Sequence, residues 1–75
     1  MIRYRNIGGD SGIIGYDYGL DFIKVYFRGG GVYLYTDQST GSGNIARMVR
    51  LAQLGHGLNS FISRVIRKRY ARKLR

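Results

Sequence analysis

The chain reads as an α+β domain: an antiparallel β-meander of three to four curved strands followed by two helices. Period-two alternation runs through its first half, glycine-rich breaks separate the alternating runs, and the apolar spacing switches to a helical period after Asn44. With 75 residues it makes one domain, 1–75, at the lower end of what folds alone. Burial gain and ordering entropy nearly cancel at this size, so a homo-oligomer is expected.

The strands are read in order. IRYRNI, from Ile2, alternates and stops at Gly8-Gly9-Asp10-Ser11-Gly12; GIIGYDY follows and turns at Asp17-Tyr18-Gly19. LDFIKVYFR is the clearest strand, with Ile23, Val25 and Phe27 on one side and Phe22, Lys24, Tyr26 and Arg28 on the other. VYLYT alternates again, and Asp37 to Gly43 reads as a polar loop.

The GGG between the last two strands sets which face the tyrosines share. A two-residue turn at Gly29-Gly30 suits the type I′ geometry, with positive φ at both positions, and pairs Tyr26 with Tyr33. Lys24, Arg28, Tyr26, Tyr33 and Tyr35 then form an aromatic, basic face opposite an aliphatic one. A three-residue turn shifts the pairing by one and moves Tyr33 and Tyr35 beside Phe27 and Val25. The two-residue turn is the expectation.

The helical half begins at NIARMVRLAQL, where Ile45, Met48, Val49 and Ala52 make one stripe and Ser42 or Asn44 is the expected cap. Gly55 and Gly57 punctuate its end. A second helix starts near Leu58 with Leu58, Phe61, Ile62 and Val65 inward, extended by Ile66 and Tyr70.

Charge is the strongest compositional feature, a formal +9 from 13 Lys and Arg against 4 acids. All the acids lie in the first half, whereas the helix and tail 64–75 are basic throughout: Arg64, Arg67, Lys68, Arg69, Arg72, Lys73 and Arg75. Such a distribution suits phosphate contact rather than base readout. With Lys24, Arg28, Tyr26, Tyr33 and Tyr35 available for charge and stacking, the expected partner is RNA or single-stranded nucleic acid. The alternative is a phage-type inhibitor that sequesters a nucleotide signal or masks an acidic surface on a host protein.

Chemistry is otherwise sparse. The chain has no cysteine and a single histidine, so neither a disulfide framework nor a protein-held metal is expected. His56 sits in a glycine-rich turn without an adjacent carboxylate, and the aspartates read as turn formers. No enzyme activity and no cofactor are expected. Gly57 and Asn59, at a helix start, are candidate anion contacts, against a plain capping role for Asn59. The opening residues are too polar for a signal peptide, and no apolar run approaches the roughly 20 residues that span a bilayer. A cytoplasmic protein without a membrane partner is expected.

Laid out in order, the sequence resembles the KTSC domain family. The resemblance rests on Gly15-Tyr16-Asp17, Ile23-Lys24-Val25-Tyr26-Phe27, Tyr33-Leu34-Tyr35 as a YxY, and Gly55-His56-Gly57-Leu58-Asn59-Ser60-Phe61-Ile62 as the turn into a last helix. These domains occur alone in bacterial and phage proteins and at the carboxyl end of some lysyl-tRNA synthetases. The resemblance implies a β-meander followed by helices and no catalytic activity; its synthetase association makes RNA an expected partner by analogy. The polar loop 37–43 and the basic tail beyond Tyr70 depart from the family pattern.

Overall fold

The computed structural model describes residues 1–9 and 11–75. The turn reading at Asp10 lies outside the described residues. Five strands form one antiparallel sheet in sequence order: β1 (Ile2–Arg3), β2 (Ile13–Tyr18), β3 (Phe22–Phe27), β4 (Val32–Thr36) and β5 (Arg72–Lys73). Between β4 and β5 run α1 (Asp37–Thr40), α2 (Ser42–Leu54) and α3 (Leu58–Phe61), the last continuing into a π-helical turn, Ile62–Ile66. The fold is α+β, a meander with one strand more than expected.

Register is the main correction to the sequence reading. Tyr26 pairs with Val32, Val25 with Tyr33 and Ile23 with Tyr35. Arg28, Gly29 and Gly30 therefore make a three-residue connection. It is closed by the Phe27 N–H donating to the Gly31 carbonyl at 2.7 Å and the Gly30 N–H donating to Phe27 at 3.1 Å. Gly29 and Gly30 have φ of 94° and 101°, and a Cβ on either meets nothing within 4 Å, so backbone angle alone selects glycine there. The shared aromatic face of Tyr26, Tyr33 and Tyr35 does not form. Tyr33 and Tyr35 turn toward the helices, while Val32 and Leu34 join Lys24 and Tyr26 on the outer face. The chosen register buries the larger aromatic surface: Tyr35 is 2% exposed.

A bulge in β2 adjusts the inner face further. Ile13 pairs with Phe27 but Gly15 with Tyr26, leaving Ile14 unmatched and exposed. Ile13 and Tyr16, three apart, thereby both point inward and are buried. Against this face pack Ile45, Met48 and Ala52 of α2, as their spacing predicts, with Leu58, Ile62 and Ile66 beside them.

Local chemistry in 36–44 departs from the expected loop. Thr36 accepts the Ser39 N–H at 3.2 Å and donates its own N–H to Ser39 Oγ at 3.1 Å, a reciprocal cap that starts α1. Gly41 occupies the N-cap of α2 without a side-chain bond, and neither Ser42 nor Asn44 caps it. Asn44 instead donates to the Thr40 carbonyl at 2.9 Å.

The basic tail is the second correction. Rather than extending a helix to the end, the chain stops at Ile66 and reverses at Arg67, whose φ is 55°. Residues 69–75 then cross to the open edge of β4. Ala71 N–H donates to the Leu34 carbonyl and Leu74 N–H to the Val32 carbonyl, each at 2.7 Å. A short, charged edge strand suits that position, because it covers β4 while resisting further strand addition.

Candidate nucleic-acid interface

The reversal at Arg67 creates a cleft. It opens between the hairpin tip and the returning chain and encloses about 460 Å³. Its walls are aromatic. Phe27 and Tyr33 meet edge to face with ring centroids 5.5 Å apart; Tyr33 and Tyr70 stand 4.8 Å apart, and Tyr35 and Tyr70 6.3 Å. Ile62 closes the apolar floor, while Arg28, Arg67 and Lys68 stand at the rim. Lys73 adds a fourth cation, its Nζ 5.7 Å from the Tyr33 centroid, within cation–π range.

Each position follows from local structure. Tyr33 and Tyr35 arrive from β4 because of the three-residue turn, and the same turn exposes Arg28 at the hairpin tip. Tyr70 arrives because the chain leaves its helical path at Arg67. An arginine at φ 55°, ψ −119° is held in a sparsely populated region, at a cost of about 1–3 kcal/mol. Thr40 fixes the far side of this crossing: buried, it donates its hydroxyl proton to the Arg69 carbonyl at 2.8 Å.

Electrostatically the cleft is one-signed. Burial, with Tyr33 and Tyr70 adding, pushes the Tyr35 phenol up to about 12, so it stays neutral at ordinary pH. Among the described residues the one ion pair joins the Met1 ammonium to Asp17 at 3.3 Å, and no Lys or Arg side chain pairs with a carboxylate. Among the described residues the rim cations have no carboxylate partner.

The sequence-predicted residues divide between places. Arg28, Tyr33, Tyr35, Arg67 and Lys68 line the cleft, with Lys73 at its edge. Lys24, Tyr26 and Arg75 lie on the outer sheet face, around a hollow of about 210 Å³ completed by Val32 and Leu74. There the Tyr26 hydroxyl donates to Asp17 at 2.7 Å, which raises the phenol pKa and holds the Asp17 carboxyl below its ordinary value. Arg72 pairs with Leu34 on that same face. Arg64 and Arg69 are exposed but line neither hollow.

Gly57 and Asn59 lie in a third hollow, of about 220 Å³, with Tyr4, His56 and Ser60. Gly57 takes φ 86° before α3, and the Leu58 N–H between the two candidate anion contacts donates to Tyr4 Oη at 3.4 Å, so that N–H of the helix start is engaged within the fold. Phe27 and Tyr70, half of the aromatic wall, are absent from the sequence-based site. Phe27 belongs to it once the register is known, whereas Tyr70 reads as helix stripe until the chain is seen to turn.

No helix among the described residues is long and apolar enough to cross a membrane. No family model, curated protein or solved structure matches the chain.

Proposed function

We propose that this protein is a non-enzymatic binding module for RNA or single-stranded nucleic acid, and that the cleft between the hairpin tip and the Arg67–Tyr70 segment receives the strand. One observation carries the reading: an aromatic-walled cleft of about 460 Å³ whose rim charges are all positive and, among the described residues, without a carboxylate partner. Aromatic walls engage bases of any sequence, while Arg28, Arg67, Lys68 and Lys73 neutralise phosphate. The cations act from a hairpin and a returning strand rather than from a basic helix. The KTSC resemblance stays a proposal beside it, resting on the motifs around Gly15, Tyr33 and Gly57.

Binding of labelled single-stranded RNA at several salt concentrations tests this. Affinity that falls steeply with salt and exceeds that for duplex of equal length supports it; equal affinity for duplex, or no binding, overturns it. The cleft volume favours a second reading, since it lies within the range of small-molecule sites. There the protein sequesters a nucleotide, and heat-denatured protein releases it stoichiometrically.

A further inference from the structure

We infer that a bound strand does not end in the cleft but passes over the β5 edge onto the outer face of the sheet, so that the ligand is an extended single strand rather than a nucleotide or a short tip. This rests on the proposed nucleic-acid reading. Arg72 and Lys73 are adjacent on β5 and therefore project to opposite faces of the sheet. Lys73 lies over Tyr33 on the cleft side, whereas Arg72 pairs with Leu34 on the outer side. Leu34 in turn pairs with Lys24, so Arg72, Leu34 and Lys24 form one straight row across three strands. At the usual strand spacing the two cations stand about 10 Å apart with an apolar residue between them.

A second row, Tyr26 opposite Val32 with Leu74 beyond, runs parallel to the first and offers apolar and aromatic surface next to those cations. Positive charge thus continues from the cleft rim around the edge. The track stops at Lys24, because its partner across β2 is Asp17, whose carboxylate is tied to Tyr26. Four cations in the cleft and the two of this row, Lys24 and Arg72, make six phosphate contacts. For a single strand this gives a log–log salt slope of about −4, against about −3 for the cleft alone.

The test uses a single-stranded RNA dodecamer, within the span of known single-strand sites. Its salt slope is measured on the full chain and on a double variant, Lys24→Gln with Arg72→Gln, which keeps the aliphatic stems. A second double variant, Arg47→Gln with Arg50→Gln on α2, removes equal charge away from the track. The slope is expected to fall to about −3 in the first variant and to stay near −4 in the second. An unchanged slope in the first variant overturns the inference and confines the strand to the cleft. Equal loss in both variants also overturns it, since charge alone then acts. If the dodecamer fails to bind the unmodified chain, the cleft reading fails as well. If polyaspartate displaces the dodecamer at equal charge concentration, an acidic protein surface is the better partner and the inference falls.

Discussion

Tyr33 stands opposite Val25, and that single pairing turns its ring to the helix side of the sheet, where it meets Phe27 and Tyr70. One residue of slip sends Tyr33 outward and dismantles the cleft. The Arg28-Gly29-Gly30 turn that closes this register is accordingly part of the site as much as of the fold.

Gly30→Ala therefore costs stability. A side chain at φ 101° is strained although space for it is open, and the expected loss is about 1–2 kcal/mol in urea denaturation. Gly43→Ala is the contrasting control. It lies inside α2 with nothing within 4 Å of the added Cβ, and is expected to stabilise by up to about 1 kcal/mol.

Tyr33→Leu separates packing from recognition. Leucine keeps an apolar side chain against Phe27 and Tyr70 but removes the face on which a base stacks. Stacking by one aromatic is worth about 1–3 kcal/mol, so affinity for single-stranded RNA is expected to drop roughly tenfold or more. Fluorescence anisotropy measures it, and a drop below twofold removes Tyr33 from the interface.

Much of this fold is legible in the sequence because burial imposes periodicity. Ile23 and Val25 alternate inward, and Ile45, Met48 and Ala52 recur at helical spacing; all five are buried. The hairpin register is not legible, since consecutive glycines accept positive φ in a turn of either length, and the outcome is decided by which side chains fill the space under the helices. Nor does β5 announce itself. Two charged residues carry no strand period, and their pairing is dictated by the open edge of β4. The cleft depends on both of these and on the reversal at Arg67, so its charges and two of its tyrosines are foreseeable while its geometry is not.

Thr40→Val tests how the returning segment is held. Valine matches the shape of threonine but leaves the Arg69 carbonyl without its donor, at a cost of about 1–2 kcal/mol. Faster hydrogen exchange is expected at the Ala71 and Leu74 amides, which bond to β4 just beyond this anchor. Uniform exchange rates across wild type and variant would show that β4 alone retains the tail.

The Tyr26–Asp17 bond makes an acid-side prediction. The bond lowers the folded-state pKa of Asp17, so its contribution is present above the unfolded carboxyl value and is lost as pH falls through the lower folded one. Tyr26→Phe removes the donor. The variant is expected to be less stable than wild type at neutral pH, by no more than about 1 kcal/mol for a pair that is only half-buried. The two should converge at low pH, and denaturation at pH 7 and near pH 2 distinguishes this from a packing effect, which persists at both.

Tyr35 makes the opposite prediction at high pH. Burial raises its folded-state pKa to about 12, so the folded chain holds the phenolic proton more tightly than the unfolded one. The resulting stability is fully present below the unfolded value near 10 and is lost as pH climbs from there through about 12. Tyr35→Phe removes that titration while keeping the ring edge-on to Tyr70. Wild type and variant are expected to show similar urea midpoints at pH 8. Between about pH 10 and 12 the wild type should lose stability more steeply than the variant. Parallel decline of the two would mean that Tyr35 is ionised at its ordinary value and that the cleft floor admits water.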